Sequence, residues 1–346
     1  MALQLDDYRL LGRSGLRVSP LALGTMTFGA GDWGSSDEEA ARMVDLYIER
    51  GGNFIDTANF YGGMGASESL LGRLVHGRRE RLVISTKYSL TTRPGDPNAS
   101  GNHRKNMVKS VEDSLRRMGT DHIDLLYLHM WDYRTPVDEI LRAFDDLARA
   151  GKILYTGLSD TPAWQASRMQ AIAELRGWTQ FCALQISYSL IERTVERELI
   201  PMAREMGMGV SPWSPLGGGV LTGKYGSGKT PDSGRAAMNV STGRLSERSL
   251  AIAEEVSAVA AEIGCSAAQV ALAWTLCNPA VASPVLGART PAQLEDNLGA
   301  LAITLDDAQR ARLDAASAVP LGFPHEMLSG PHNQMVFGGV RVARRD

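Results

Sequence analysis

The sequence predicts an α/β fold: a (β/α)8 TIM barrel with an N-terminal β-hairpin and long loops at the strand exits. Short apolar runs recur eight times, separated by segments of helical spacing, as eight strand-and-helix units require. No first strand is followed by G-x-G-x-x-G, which disfavours the rival doubly wound sheet. No linker or shift in composition divides the chain, so residues 1–346 are expected to form one domain, with 320–346 as an irregular tail.

In order, a hairpin is expected from Tyr8 to Val18, turning at Ser14-Gly15. The eight runs then follow as LALGT (21–25), NFIDT (53–57), LVISTK (82–87), IDLLYLH (123–129), ILYTGLS (153–159), FCALQIS (181–187), GVSPWS (209–214) and VASPVLGA (281–288). Helical spacing fills the gaps, for example over 36–51, 135–152 and 193–207. Ser36-x-x-Glu39, Ser266-x-x-Gln269 and Thr290-x-x-Gln293 are capping-box signatures. Residues 88–101 read as a loop from their Pro, Gly and Asn content, and 215–245 are Gly- and Ser-rich and too long for an ordinary connection. After Ile303 one further helix, Thr304 to Ala318, precedes the tail. Long insertions at strand exits are where barrels build binding sites.

Composition narrows the function. The 36 basic and 39 acidic residues give no basic surface for nucleic acid or membrane, so neither partner is expected. No N-terminal apolar stretch resembles a signal peptide, and no run approaches the roughly 18 apolar residues of a membrane span. Cys182, Cys265 and Cys277 form no C-x-x-C pair, and Cys182 and Cys277 lie in apolar runs as small core residues. A reducing cytoplasmic setting is expected, without a metal site.

The strand exits carry Gly24-Thr25, Asp56, Lys87, His129, Ser159-Asp160, Gln185, Trp213 and Gly287. Singly, each has a plain role: Asp in a turn, Tyr61 in packing, Lys reaching solvent, His satisfied in the interior. Jointly they converge on one face of a parallel barrel. A buried Lys87 needs a counter-charge, which Asp56 on the neighbouring strand supplies. An ammonium beside Tyr61 is expected to lower its pKa from the usual value of about 10, making a proton donor for neutral pH. His129 offers a second hydrogen bond to the same substrate oxygen. An acid that protonates oxygen while hydride attacks carbon is what carbonyl reduction needs.

Asp56, Tyr61, Lys87 and His129, set in FIDTANFYG, VISTK and LLYLH, resemble the catalytic tetrad of the aldo-keto reductases. The resemblance runs from the hairpin to about Leu301 and is closest to bacterial members related to voltage-gated potassium channel β-subunits. It implies an NADPH-dependent reductase of aldehydes or ketones, reversible as an alcohol oxidation, with NADH also possible as cofactor and Tyr61 as general acid. Gly24, Thr25, Met26 and Asp56 would border the cofactor. Ser159, Asp160 and Gln185 would hold the nicotinamide carboxamide, and Trp213 would stack on the ring. Asp160 stands where the family more often has Asn; a carboxylate accepts from the carboxamide nitrogen but cannot donate to its oxygen. Trp213 replaces a commoner Tyr and keeps the stacking face.

Ser214, Pro215, Leu216 and Gly218 would wrap the pyrophosphate, with Lys224 and Arg235 clasping it. Gly287, Arg289, Thr290, Gln293, Asp296 and Asn297 resemble the adenosine end, where Arg289 beside a helix start suits a 2′-phosphate. Candidate pocket walls are Met26, Trp33, Phe60, Tyr88 and Trp131, with Phe323, Met327 and Met335 of the tail closing one side. Such a mouth suits small-molecule carbonyls with aromatic or bulky apolar bodies, in a monomer or a homo-oligomer. The competing function is a regulatory protein that senses nicotinamide redox state with little turnover. Gly223 to Thr230 also fits G-x-x-x-x-G-K-[ST], the NTPase phosphate loop, but lacks a strand directly before it and a convincing helix after it.

Overall fold

The computed structural model describes residues 3–225 and 234–340, without the side chains of residues 234 and 235. Strands β1 (Arg9–Leu10) and β2 (Arg17–Val18) pair antiparallel as the expected hairpin. All eight apolar runs become strands: β3 (Ala22–Gly24), β4 (Phe54–Asp56), β5 (Val83–Tyr88), β6 (Ile123–Leu128), β7 (Ile153–Ser159), β8 (Phe181–Ser187), β9 (Gly209–Trp213) and β10 (Val285–Gly287). They lie parallel in the order β10-β3-β4-β5-β6-β7-β8-β9. The two ends of that order meet where Val210 bridges to Val281, which nearly closes the (β/α)8 barrel. Strands enclosed on both faces read as unbroken apolar runs, and this is why they are visible in the sequence.

The outer helices bury one stripe. In Val137–Arg149 the buried residues include Val137, Ile140, Leu141, Phe144 and Leu147, a helical period facing the sheet. Complete capping boxes form at Ser36/Glu39 and Ser266/Gln269, and a third at Asp306/Gln309. At Thr290 only half of the expected box forms: Thr290 caps Gln293 N, but the Gln293 side chain accepts from Arg289 N instead. The segment 193–207 is broken into Thr194–Glu196 and the helix Leu199–Glu205. Pro201 lacks an N–H donor and is accommodated in the first turn, so the helix starts just before it. The expected last helix runs Asp307–Ser317, and the tail is less irregular than expected, with short helices at His325–Ser329 and His332–Val336.

A small inner cluster fills the barrel and includes Leu11 and Val18 of the hairpin with Phe54, Leu125 and Tyr127. The hairpin thus plugs the end where strands begin. It fits closely: a Cβ on Gly12 would lie 2.3 Å from Cys182 O and 2.7 Å from Gly209 N. Cys182 is buried, but Cys277 is exposed at the end of its helix rather than in the core. Of the phosphate-loop pattern, residues 226–230 lie outside the described residues; Gly223 follows a 3-10 turn, and the preceding strand has ended at Trp213.

Candidate active site

The parallel register brings the polar strand ends together. Asp56 pairs with Ser85 across β4 and β5, and Lys87 lies two residues further along the same face. Lys87 Nζ is 2.6 Å from Asp56 Oδ2, with side-chain exposures of 0% and 2%. Asp56 Oδ1 also accepts from Ser85 Oγ at 2.7 Å and from Gln185 Nε2 at 2.9 Å. The ammonium further donates to Thr57 O at 2.8 Å and to the Tyr61 hydroxyl at 3.4 Å. A buried ion pair persists only when its remaining donors and acceptors are satisfied, and here they are.

Tyr61 is aimed by the backbone around it. Thr57 N and Asn59 N bond to Ser85 O and Lys87 O, so the chain runs on beside β5 after β4 ends. Gly62 and Gly63 then take φ of 67° and 77°, turning the chain towards the helix Ala66–Leu74. A Cβ on Gly62 would lie 2.8 Å from both Phe28 O and Ser67 N, so that position requires glycine. Beneath the turn Glu68 is fully buried; it accepts from Thr86, the neighbour of Lys87, and pairs with Arg117 at 2.6 Å. His129 meets the Tyr61 ring edge-on, with centroids 5.8 Å apart.

The electrostatics correct one expectation. Burial raises the Tyr61 pKa, and this outweighs the lowering by the Lys87 charge, to which Asp56 adds a further rise. The phenol is therefore held protonated rather than made acidic, because desolvation disfavours the phenolate. Burial works to lower the Lys87 pKa, yet Asp56 and Tyr61 prevail and raise it. His129 falls to about 3 through burial and the Lys87 charge, so its imidazole is neutral.

The expected cofactor residues follow the same arc. Gly24 leaves no room for a side chain, a Cβ there lying 2.7 Å from Val285 Cγ1. Thr25 is fully buried and bonded to Asp56 O and Ser67, while Met26 is half-buried. Ser159 ends β7 and is paired in register with Gln185. Asp160 and Ser214 hold left-handed backbone at φ 39° and 53°. Asp160 Oδ1 accepts from Trp213 Nε1 at 3.0 Å, which ties the ring to the exit of β7.

After Pro215 and Leu216, three glycines (217–219) take φ of 58°, 68° and 87°. The buried Asn239 props this turn by donating to Gly218 O at 3.1 Å. Lys224 Nζ lies against it, 2.8 Å from where a Gly219 Cβ would be. A turn of bare backbone beside an ammonium fits a phosphate group. The Arg235 side chain lies outside the described residues.

Gly287 and Arg289 are exposed at the end of β10, and Thr290 starts the helix Pro291–Leu298. Asp296 is engaged with Ser266 and Gln269 at the start of the helix Ala267–Leu276, and Asn297 is buried.

Beside Asp160 opens a cavity of about 520 Å³, lined by Trp131, Tyr133, Ile186, Glu192 and Leu199 among others. Trp131 is thus part of this cavity's wall. Tyr88 is not: its side chain is fully buried, its hydroxyl donates to Asn102 O and its ring packs on Phe144. Trp33 and Phe60 are each 41% exposed, whereas the tail residues Phe323 and Met335 are 84% and 75% exposed and close nothing. Met327 is likewise 49% exposed. Sequence reading missed Ser85, Glu68 and the 186–199 wall. The two-residue step from Ser85 to Lys87 was a usable signal for the first.

The aldo/keto reductase family profile matches residues 20–318. The chain is 38% identical over 327 residues to norsolorinic acid reductase stcV of Emericella nidulans, covering 91% of this chain and 82% of that protein. It is 41% identical over 310 residues to the uncharacterized oxidoreductase YrpG of Bacillus subtilis, covering 87% and 92%. It is also 36% identical over 347 residues to aryl-alcohol dehydrogenase GME11368 of Pestalotiopsis microspora, covering 97% and 87%. The expected nearness to the channel β-subunit branch gains no support from these relatives.

Proposed function

Because this chain belongs to the aldo/keto reductase family, we propose that it is an NADPH-dependent reductase of aromatic aldehydes or ketones, with Tyr61 as general acid. Family membership makes it an NAD(P)H-dependent oxidoreductase acting on small carbonyl compounds. The observation that carries the finer reading is the buried Asp56–Lys87 pair reaching the Tyr61 hydroxyl, with neutral His129 alongside. The bound dinucleotide supplies hydride from C4 of its nicotinamide ring. The phenol and the imidazole bind the carbonyl oxygen, and the phenol gives its proton as negative charge develops there. Lys87 remains charged and stabilises the phenolate left behind. In alcohol oxidation the same phenolate takes the proton back.

Trp213, Gln185 and Asp160 are assigned to the nicotinamide, and the glycine turn with Lys224 to the pyrophosphate. Arg289, exposed beside a helix start, favours NADPH over NADH. The aromatic wall at Trp131 and Tyr133 supports aryl substrates, as does the name of the aryl-alcohol dehydrogenase relative. A cytoplasmic setting suits three free cysteines.

The test follows loss of NADPH and NADH over aldehydes, ketones and quinones, with Tyr61→Phe as control. Turnover is expected with NADPH, and Tyr61→Phe should lose about 10²- to 10⁴-fold in kcat while still binding cofactor. No oxidation of either cofactor by any carbonyl would refute the reading. Full activity of Tyr61→Phe would refute the role of the phenol.

A further inference from the structure

The residue that extends the site is Arg244, which the tetrad does not use. The helix Gly234–Ser241 ends in a turn at Gly243, and Arg244 N then bonds Asn239 O at 2.9 Å. Asn239 is the buried residue that props Gly218, so the backbone of Arg244 is tied to the glycine turn. Its half-buried guanidinium lies over the Trp213 ring, 5.3 Å from the centroid. Among the described residues no carboxylate lies within ion-pair distance of it. Glu192 acts on it from further away, and that carboxylate is engaged by Thr194 N. Burial lowers the Arg244 pKa, but a guanidinium remains charged at any working pH. Trp213 is thus held at its edge by an anion, Asp160, and on one face by a cation.

We propose that Arg244 sets the balance between oxidised and reduced cofactor, by holding its charge on the face of Trp213 opposite the one that receives the nicotinamide. This rests on the reading that the nicotinamide stacks on Trp213. Loss of hydride leaves a formerly neutral ring with one positive charge. That charge appears in front of a tryptophan already backed by a cation, so the oxidised ring is repelled and the reduced one is not. Arg244 therefore weakens NADP+ against NADPH, and it hastens departure of the product cofactor during reduction.

Stacking adds about 5 Å to the observed spacing, which puts the two charges roughly 10 Å apart. At an effective dielectric of about 20 this corresponds to about fifteenfold in a binding ratio. Partial exposure of Arg244 reduces it to about threefold to fivefold. Asp160 opposes the effect, but equally with and without Arg244.

The experiment titrates the full chain with NADPH and with NADP+ by isothermal calorimetry, for wild type, Arg244→Met, Arg244→Gln and Arg244→Lys. Both neutral variants should lower the ratio of Kd for NADP+ to Kd for NADPH by about threefold to fivefold. Arg244→Lys should keep the wild-type ratio, because it keeps the charge. Equal changes in both constants would overturn the proposal, since Arg244 would then only pack or would cover the nicotinamide's own face. A Lys variant that shifts like the Met variant would overturn it as well. Binding of neither cofactor by wild type would instead overturn the reading beneath it.

Discussion

Lys87→Met removes a charge from a place where water cannot replace it. Its side chain is fully buried, and its partner Asp56 is 2% exposed. The substitution leaves Asp56 with Ser85 and Gln185 as donors but no counter-charge. Removing one member of a buried pair costs about 3–5 kcal/mol, and the two surviving donors place this case near ~3 kcal/mol. Asp56→Asn should cost a similar ~3 kcal/mol, because the buried ammonium would lose its counter-charge and keep only neutral acceptors, Thr57 O and the Tyr61 hydroxyl among them. The double variant buries no charge and should cost less than either single change, at about 1–2 kcal/mol. Urea unfolding followed by circular dichroism gives all four stabilities, and the cycle should show a coupling of at least ~3 kcal/mol. All three variants are expected to lack turnover, so stability is the readout that separates them. Additivity within ~0.5 kcal/mol would refute the reasoning, since the pair would then be solvated or its members independent.

Other outcomes follow from the same geometry. His129 has a folded pKa of about 3 against an unfolded value of about 6.5, so only the unfolded chain takes up a proton between them. Its contribution to stability is complete above pH ~6.5 and is lost as pH falls through that window, by about 2–3 kcal/mol at pH ~4.5. His129→Gln should lose correspondingly less stability between pH ~7 and ~4.5; an unchanged loss in paired urea melts would contradict a desolvated imidazole. Gly218 takes φ 68°, and a Cβ there would lie 2.4 Å from Asn239 Oδ1. Gly218→Ala should therefore cost ~1–3 kcal/mol and weaken NADPH binding at least about fivefold. Calorimetry that finds the affinity unchanged would remove the glycine turn from the cofactor site.

The barrel is legible in the sequence because each strand is apolar on both faces and short. The tetrad is legible because parallel strands bring their carboxyl ends to one rim, which turns Asp56, Lys87 and His129 from scattered residues into neighbours. The sign of the Tyr61 shift is not legible in this way. Lys87 is visible as a charge in the chain, but the burial that outweighs it exists only once the surrounding loops have closed. Tyr88 shows the same limit. It follows directly on Lys87, and its alternation points it outwards into the helix layer, where it meets Phe144 rather than substrate. The Glu68–Arg117 brace joins residues 49 positions apart, and no local period announces it. The cavity wall at Glu192 and Leu199 comes from a connection whose path depends on the broken 193–207 segment.

The hairpin at the start of the barrel has a practical consequence. Leu11 and Val18 are fully buried as part of the inner cluster, so among the described residues the hairpin fills the barrel beneath Asp56 and Lys87. Substrate and cofactor must enter where the strands finish. Residues 3–8 lie on the plugged side, where the Tyr8 hydroxyl donates to Gly51 O just ahead of β4. Coupling the protein to a bead or an electrode through its amino end should therefore leave the mouth turned towards the solution. Attachment through the tail, which runs beside the 193–199 segment and is tied to it by His325 and Glu198, would crowd the rim instead.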